Sequence, residues 1–128
     1  MPSPETVESF IRLVEQAKTV EAMHCFYAEE ATMRENMAQP RSGKPALIQH
    51  EQDALAGVKN LQAKCIRPFF IEGDFVVIRW LFEIEDIKGK RFKFEELSHQ
   101  RWVGQQIMEE QFFYDPSQLT ESGAQVHA

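Results

Sequence analysis

The sequence has few of the features that mark secreted, membrane or nucleic-acid-binding proteins. Two cysteines in 128 residues are too few for a disulfide framework, and no apolar run approaches the roughly 18 residues of a membrane span. The first residues lack the basic and then apolar order of a signal peptide. The chain has 14 Lys and Arg against 20 Asp and Glu, a net charge of −6, and so no basic surface for nucleic acid or an anionic membrane. We therefore expect a cytoplasmic protein that binds neither.

Motifs for metal, phosphate and covalent chemistry are also missing. The four histidines, His24, His50, His99 and His127, show no HxxxH or HxH spacing, so we expect no metal site. There is no glycine-rich phosphate loop, no GxSxG elbow and no Cys/His pair. These absences argue against nucleotide and covalent chemistry.

The first half of the chain has the apolar spacing of helices. Ser3 and Pro4 resemble a helix cap and a first-turn proline. A stripe at 3.6-residue spacing follows, formed by Val7, Phe10, Ile11 and Val14. Thr19 is expected to cap a second short helix, and Pro45 to open a third. Between them, residues 31–37 predict a short strand and residues 38–43, with Pro and Gly, a loop.

After Asn60 the apolar spacing becomes that of strands. Most of the ten phenylalanines lie in this half, which indicates a sheet with an apolar face. Pro68 places the first strand, residues 61–71, at an edge or a bulge. Tight turns join it to three more strands, predicted at about residues 76–85, 91–103 and 107–114.

Helices followed by an antiparallel meander indicate an α+β fold. We expect a cystatin-like cone, with three N-terminal helices packed in a strongly curved, mainly antiparallel sheet around one apolar pocket. It forms a single domain over residues 1–116, and residues 117–128 form a flexible tail.

Three segments resemble the nuclear transport factor 2-like superfamily. They are FYAEEATMREN at 26–36, PRSGK at 40–44, and a closing segment with RWVG at 101–104 and FFYDP at 112–116. They look most like its SnoaL-like domains of polyketide cyclase type and its ketosteroid isomerases. The resemblance covers about residues 5–116 and implies the cone, a homodimer and no cofactor. It does not imply one activity, because the superfamily includes several enzyme types and non-catalytic binding proteins.

The resemblance assigns roles to three positions. The carboxylate base of the ketosteroid isomerases falls at Glu35, and their protonated aspartic acid, an oxyanion donor, falls at Ser98. Their tyrosine, the second donor, falls at Ile11. The chain thus keeps the base and weakens or loses both donors, which argues against a steroid isomerase.

Glu35 also has a physical argument. A carboxylate at the mouth of an apolar cone is partly desolvated, which makes it a stronger general base. The competing interpretation is an ion pair between Glu35 and Arg34 or Arg41 at the rim, or simple solvation.

Strand alternation gives the other expected ligand contacts. If Trp102 points inward, so do Glu96, Ser98 and Gln100, and if Tyr114 does, so do Met108, Glu110 and Phe112. The predicted mouth lies near Glu35, Trp102 and Tyr114. Two buried carboxyls would repel, so one of Glu96 and Glu110 should be protonated or paired with an arginine, and rim salt bridges to Arg79 or Arg101 are the alternative. The full set of expected ligand contacts is Ile11, Tyr27, Trp80, Glu96, Gln100, Trp102, Glu110, Phe112 and Tyr114.

Two functions remain open. In the first, the cone binds a small apolar, carbonyl-containing ligand and acts as an isomerase, cyclase or hydratase, with Glu35 as the acid/base and Ser98 as a donor. In the second, it is a non-catalytic ligand-binding or dimerisation module. The outer face of the sheet, with Leu97 and Val103 beside Arg79 and His99, would suit a twofold homodimer interface.

Overall fold

A computed structural model describes residues 1–119 of the chain. The helices are α1 (Pro4–Glu15), α2 (Thr19–Phe26) and α3 (Lys44–Leu55), and a short 3-10 helix spans Pro116–Leu119. The strands are β1 (Tyr27–Glu35), β2 (Arg41–Ser42), β3 (Val58–Glu72), β4 (Phe75–Asp86), β5 (Arg91–Val103) and β6 (Gln106–Phe113). This confirms the predicted α+β class, with three helices held in a curved sheet.

The six strands form one sheet in the order β2-β1-β6-β5-β4-β3. All neighbours are antiparallel except β1 and β6, which run parallel. The sheet brings the carboxyl end of β1 beside β6, where Glu35 pairs with Phe112. The site residues of the two halves of the chain meet along this seam.

The first helix forms as its sequence predicts. The Ser3 hydroxyl accepts a hydrogen bond from the Thr6 amide at 3.1 Å, and Pro4 stands in the first turn. The apolar stripe of this helix is buried against the sheet. At the second helix the prediction was wrong, since Lys18 is the capping residue and Thr19 is already inside the helix.

Two strand predictions need correction near the seam. The first strand begins at Tyr27, not residue 31, because Tyr27 already pairs with Ile107 of β6. The segment predicted as a loop contains β2, whose Arg41 and Ser42 pair with Met33 and Thr32. Two residues are too few to show a period of two, so the sequence carried no sign of this strand.

The predictions for the edge and the end of the sheet have mixed outcomes. Strand β3 is an edge strand with a register shift between Ile66 and Phe70, which confirms the interpretation of Pro68. Residues 117–119, assigned to a flexible tail, lie in the 3-10 helix, where the Gln118 side chain donates to the Glu95 carbonyl at 3.0 Å. The remainder of that predicted tail, residues 120–128, lies outside the described residues.

Candidate functional site

The cone encloses a cavity of about 340 Å³ between the three helices and the concave face of the sheet. Its walls are mostly apolar and aromatic, as ligand pockets usually are. Some of the residues expected to contact ligand line it: Tyr27, Glu35, Trp80, Glu96, Glu110, Phe112 and Tyr114.

The other expected residues do not line this cavity, although their predicted inward orientation is confirmed. They are Ile11, Ser98, Gln100 and Trp102, all fully buried in the core. The Trp102 ring packs edge-on against Phe10 and Phe26, with centroids 6.2 and 6.3 Å away. These helix side chains fill that part of the cone, so Trp102 lies in packed core and not at a mouth.

Glu110, in the cavity wall, is the acceptor of a buried hydrogen-bond network. It accepts from Ser98 Oγ and from Gln100 Nε2, both at 2.6 Å, and from the Tyr27 hydroxyl. Gln100 Oε1 in turn accepts from Trp102 Nε1 at 2.9 Å. The single hydroxyl proton of Ser98 is therefore directed at Glu110 and not at a ligand.

Burial and the hydrogen bonds of this network shift the pKa values of Glu110 and Tyr27. Burial raises the pKa of Glu110, and its three donors oppose that rise. Burial and the neighbouring Glu110 raise the pKa of Tyr27 well above its usual range, so this hydroxyl stays a donor. The alternative of rim salt bridges was wrong, because Arg101 pairs with Glu109 and Arg79 with Glu95, each at 2.7 Å, on the outer face.

Glu96 is a carboxyl of the cavity wall in a setting that differs from those of Glu35 and Glu110. Its side chain is partly buried and has no hydrogen-bond or ion-pair partner within residues 1–119. Burial, followed by repulsion from Glu110, Glu35 and Glu51, raises the pKa of Glu96 to about 8. At neutral pH it is therefore largely protonated and is able to donate a hydrogen bond into the cavity.

Glu35 lines the same cavity in a more open setting. Its side chain is 37% exposed, and Oε2 accepts from the Tyr114 hydroxyl at 3.1 Å. Arg41 Nη1 lies 3.6 Å and His50 Nε2 3.8 Å from Oε1. The expected desolvation of Glu35 is thus weak, and the competing ion pair with Arg41 is present. Burial, and then Glu35, raise the pKa of Tyr114 to about 12.

Three polar cavity residues were missed in the sequence: Thr19 on α2, and His50 and Glu51 on α3. The signal for the last two was available. They follow the buried Leu47 by three and four residues, which places them on the same helix face. For Thr19 the sequence predicts a helix cap, a role that would use its hydroxyl.

Within the described part of the chain, no group of three or more His, Cys, Asp or Glu side chains could hold a metal ion. None of the helices described there has the length and apolarity to cross a membrane.

The sequence matches the model of a known domain family. The model of the SnoaL-like domain aligns with residues 7–110, which is most of the chain. The chain belongs to the SnoaL-like domain family. A search among curated protein sequences gives no match.

Solved structures share this SnoaL-like fold. A SnoaL-like polyketide cyclase from Mesorhizobium loti is 23% identical, with a TM-score of 0.75 over 89% of this chain and 100% of that one. A protein with a ketosteroid isomerase-like fold from Catenulispora acidiphila is 17% identical, with a TM-score of 0.76 over 91% and 89%. An LEH-like epoxide hydrolase from M. tuberculosis is 11% identical, with a TM-score of 0.76 over 95% and 88%. At these identities the likeness shows the fold alone.

Proposed function

We propose that this SnoaL-like protein binds a small, largely apolar carbonyl compound in its cavity and moves a proton on it, as an isomerase, cyclase or hydratase does. One observation supports the proposal most. Two carboxyls in unlike surroundings, Glu35 and Glu96, line one apolar cavity. A pair of titratable groups whose environments differ in this way supplies a base and an acid at one pH.

In this proposal Glu35 is the base. It removes a proton from the carbon beside the ligand carbonyl; the electrons of that C–H bond form a C=C bond, and the π electrons of the carbonyl move to its oxygen. Tyr114, Arg41 and His50 orient the carboxylate through the contacts described above.

Glu96 is the acid of the pair. Its carboxyl proton goes to the carbonyl oxygen as negative charge develops there, which gives a neutral enol. Return of the proton held by Glu35 to a different carbon completes an isomerisation, and Glu96 recovers its own proton from the enol. Glu96 thus takes the role that the resemblance assigned to Ser98, whose hydroxyl is bound to Glu110.

Solvent deuterium exchange tests the proposal. Cyclic enones small enough for a cavity of about 340 Å³ are incubated with the protein in D2O, and deuterium beside the carbonyl is measured by NMR. We expect exchange with the natural chain and a loss of about 10²–10⁴-fold in Glu35→Gln, the usual contribution of a general base. Glu29→Gln is the matched control, since Glu29 lies on the same strand with its side chain 75% exposed. If Glu35→Gln exchanged deuterium as fast as the natural chain, Glu35 would not be the base.

A non-catalytic ligand-binding protein is the second candidate. It is favoured by the apolar Ile11 and by Ser98 facing Glu110, since neither offers a donor to a ligand in the cavity. This function predicts that the same enones bind, as seen by calorimetry, and that the natural chain exchanges no deuterium above the rate in buffer.

We also propose a homodimer through the outer face of the sheet. Leu97, Val103 and Phe113 lie on this face with 44, 51 and 39% of their surface exposed, and Leu97 and Phe113 are cross-strand neighbours. A second copy would cover these side chains in a twofold contact. Sedimentation at micromolar concentration should give a dimer that Leu97→Asp dissociates, and a monomeric natural chain would contradict this.

A further inference from the structure

Strand β6 leaves part of β5 without a neighbouring strand on that side. It ends at Phe113, whose partner on β5 is Leu97. The next amide, that of Tyr114, donates to Asn36 Oδ1 at 3.0 Å. Glu96, the residue before Leu97, therefore lies just beyond the end of β6.

The 3-10 helix Pro116–Leu119 occupies the place beside this part of β5. Its Gln118 side chain bonds both backbone groups of Glu95, since Oε1 accepts from the Glu95 amide and Nε2 donates to the Glu95 carbonyl, each at 3.0 Å. A neighbouring strand would satisfy one N–H and one C=O in the same way. The helix is thus fixed to the residue before Glu96, and Leu119, the residue after Gln118, lines the cavity.

The local sequence explains why the chain turns at this point. The Asp115 carboxylate accepts from the Ser117 amide at 2.9 Å, and the Asp115 carbonyl accepts from the Gln118 amide at 3.1 Å. Pro116 has no N–H to pair with a strand, and its ring fixes the backbone angle φ at a value that suits a first helical turn. The Asp-Pro pair therefore ends the sheet and starts the 3-10 helix.

We propose that this 3-10 helix is a fixed cover of the cavity beside Glu96, and that Gln118 is the positioning residue that holds the cover in place. The inference rests on the proposed function, because the cover serves catalysis through Glu96 as the acid. The cover keeps water from the Glu96 carboxyl, and a carboxyl that water does not reach keeps its proton to a higher pH.

The cover acts by excluding water and not by its charge. The titratable side chains that line the cavity with Glu96 come from other parts of the fold, and they are Tyr27, Glu35, His50, Glu51, Glu110 and Tyr114. The four residues of the 3-10 helix carry no charge. Loss of the cover would hydrate Glu96 and lower its pKa from about 8, whereas the repulsion from the neighbouring carboxyls would remain. We therefore expect a partial fall.

Titration of the Glu96 carboxyl by carbon-13 NMR tests the inference without any ligand. In Gln118→Ala we expect a pKa of Glu96 about one pH unit lower than in the natural chain, a fraction of the roughly 3–5 units that complete burial gives. Gln105→Ala is the matched control, because the Gln105 side chain also bonds two backbone groups, the Ser3 amide and the Met1 carbonyl, and does not line the cavity. It should leave the pKa of Glu96 unchanged.

A second variant and a second readout keep the test independent of folding and of the reaction. Both bonds of Gln118 are exposed, so we expect Gln118→Ala to fold, as circular dichroism would show. If it does not fold, Leu119→Ala decides, because it keeps the anchor, shortens the covering side chain and should lower the same pKa. The alkaline fall of deuterium exchange should move to lower pH together with the pKa.

The outcomes distinguish the inference from the proposed function. An unchanged pKa of Glu96 in folded Gln118→Ala overturns the inference and leaves the proposed function standing. A lowered pKa supports the cover, and if the natural chain then exchanges no deuterium, only the proposed function is overturned. If Glu96 of the natural chain titrates near the ordinary value of 4.5, both the cover and the assignment of Glu96 as the acid are overturned.

Discussion

The mouth and the interior wall of the cavity hold the same kind of side chain in opposite settings. At the mouth, Glu35 is 37% exposed and lies 3.6 Å from Arg41 and 3.8 Å from His50. In the wall, Glu110 is 3% exposed and is held by three neutral donors. The Glu35 carboxylate accepts one hydrogen bond, from Tyr114, whereas the Glu110 carboxyl accepts three from the protein. The more buried carboxyl is thus the one with less hydrogen-bonding capacity left, so we chose Glu35 as the proposed base by that capacity and not by burial.

The largest effect expected from this contrast is on folding. Glu110→Leu removes the common acceptor of three buried donors, Tyr27, Ser98 and Gln100. Each unpaired buried donor costs at least about 1 kcal/mol, so with three donors we expect the free energy of unfolding to fall by at least about 3 kcal/mol in urea titration. Glu109→Leu is the control, because Glu109 lies next in the strand on the outer face and is paired with an exposed Arg101. An equal fall in the free energy of unfolding in the two variants would show that the buried network stabilises the fold no more than the exposed ion pair does.

Glu96 makes the stability of the fold depend on pH. Its pKa of about 8 in the fold exceeds the ordinary value of 4.5, so the unfolded chain releases this proton first as pH rises. Raising the pH from about 4.5 to about 8 therefore favours unfolding, by at most about 1.4 kcal/mol for each pH unit. Below this window Glu96 has no effect, and above it the loss is complete.

Glu96→Gln should remove that slope. Thermal melts of the natural chain and the variant between pH 5 and pH 8, values in the window that the pKa of about 8 sets, should diverge, with the variant gaining relative stability at the alkaline end. Parallel curves would mean that Glu96 ionises normally and is not the acid.

The rate of the proposed reaction should depend on the ionisation of the same side chain, Glu96. Turnover needs Glu96 protonated, so exchange activity should fall as pH rises through about 8. In Glu96→Gln the alkaline fall should disappear, and the remaining activity should be lower, since an amide donates a hydrogen bond but no proton. An alkaline limb that is unchanged in the variant would assign that limb to another group.

The smallest effect is expected at the rim. Arg41→Gln breaks a contact of 3.6 Å between side chains that are each more than a third exposed. Exposed ion pairs contribute about 0.2–1 kcal/mol, which corresponds to less than about fivefold in kcat/KM. Arg101→Gln on the outer face is the control. If Arg41→Gln lowered kcat/KM as much as Glu35→Gln does, Arg41 would take part in the reaction and would not merely orient Glu35.

Much of the fold followed from the sequence because its elements have clear periods. Strand alternation put Glu96, Ser98, Gln100 and Trp102 on one face, and all four face the concave side. It failed at Met108, where Ile107 is buried instead. The register shifts between Arg101 and Trp102, and a bulge moves every following side chain of the pattern by one place.

The site was harder to predict because it depends on packing between elements. Periodicity gives the face of Trp102 but not the helix side chains that fill the cone in front of it. It also gives no sign that the Ser98 hydroxyl is bound to Glu110, twelve positions later in the chain. Glu35, the position that the resemblance assigns to a base, lines the cavity, but the hydroxyl of Ser98, the position that it assigns to a donor, is bound to Glu110. The role of Glu35 stays a prediction.

The assignment of Glu35 as the base and Glu96 as the acid is tested by a crystal structure with a bound cyclic enone. The crystals are grown at a pH below about 8, the pKa of Glu96, so that this carboxyl is protonated. We expect the carbonyl oxygen about 3 Å from the Glu96 carboxyl, the range in which proton transfer occurs, and the adjacent carbon facing Glu35. An enone seated with its carbonyl away from both carboxyls, or outside the cavity, would contradict the assignment of Glu35 and Glu96 as base and acid.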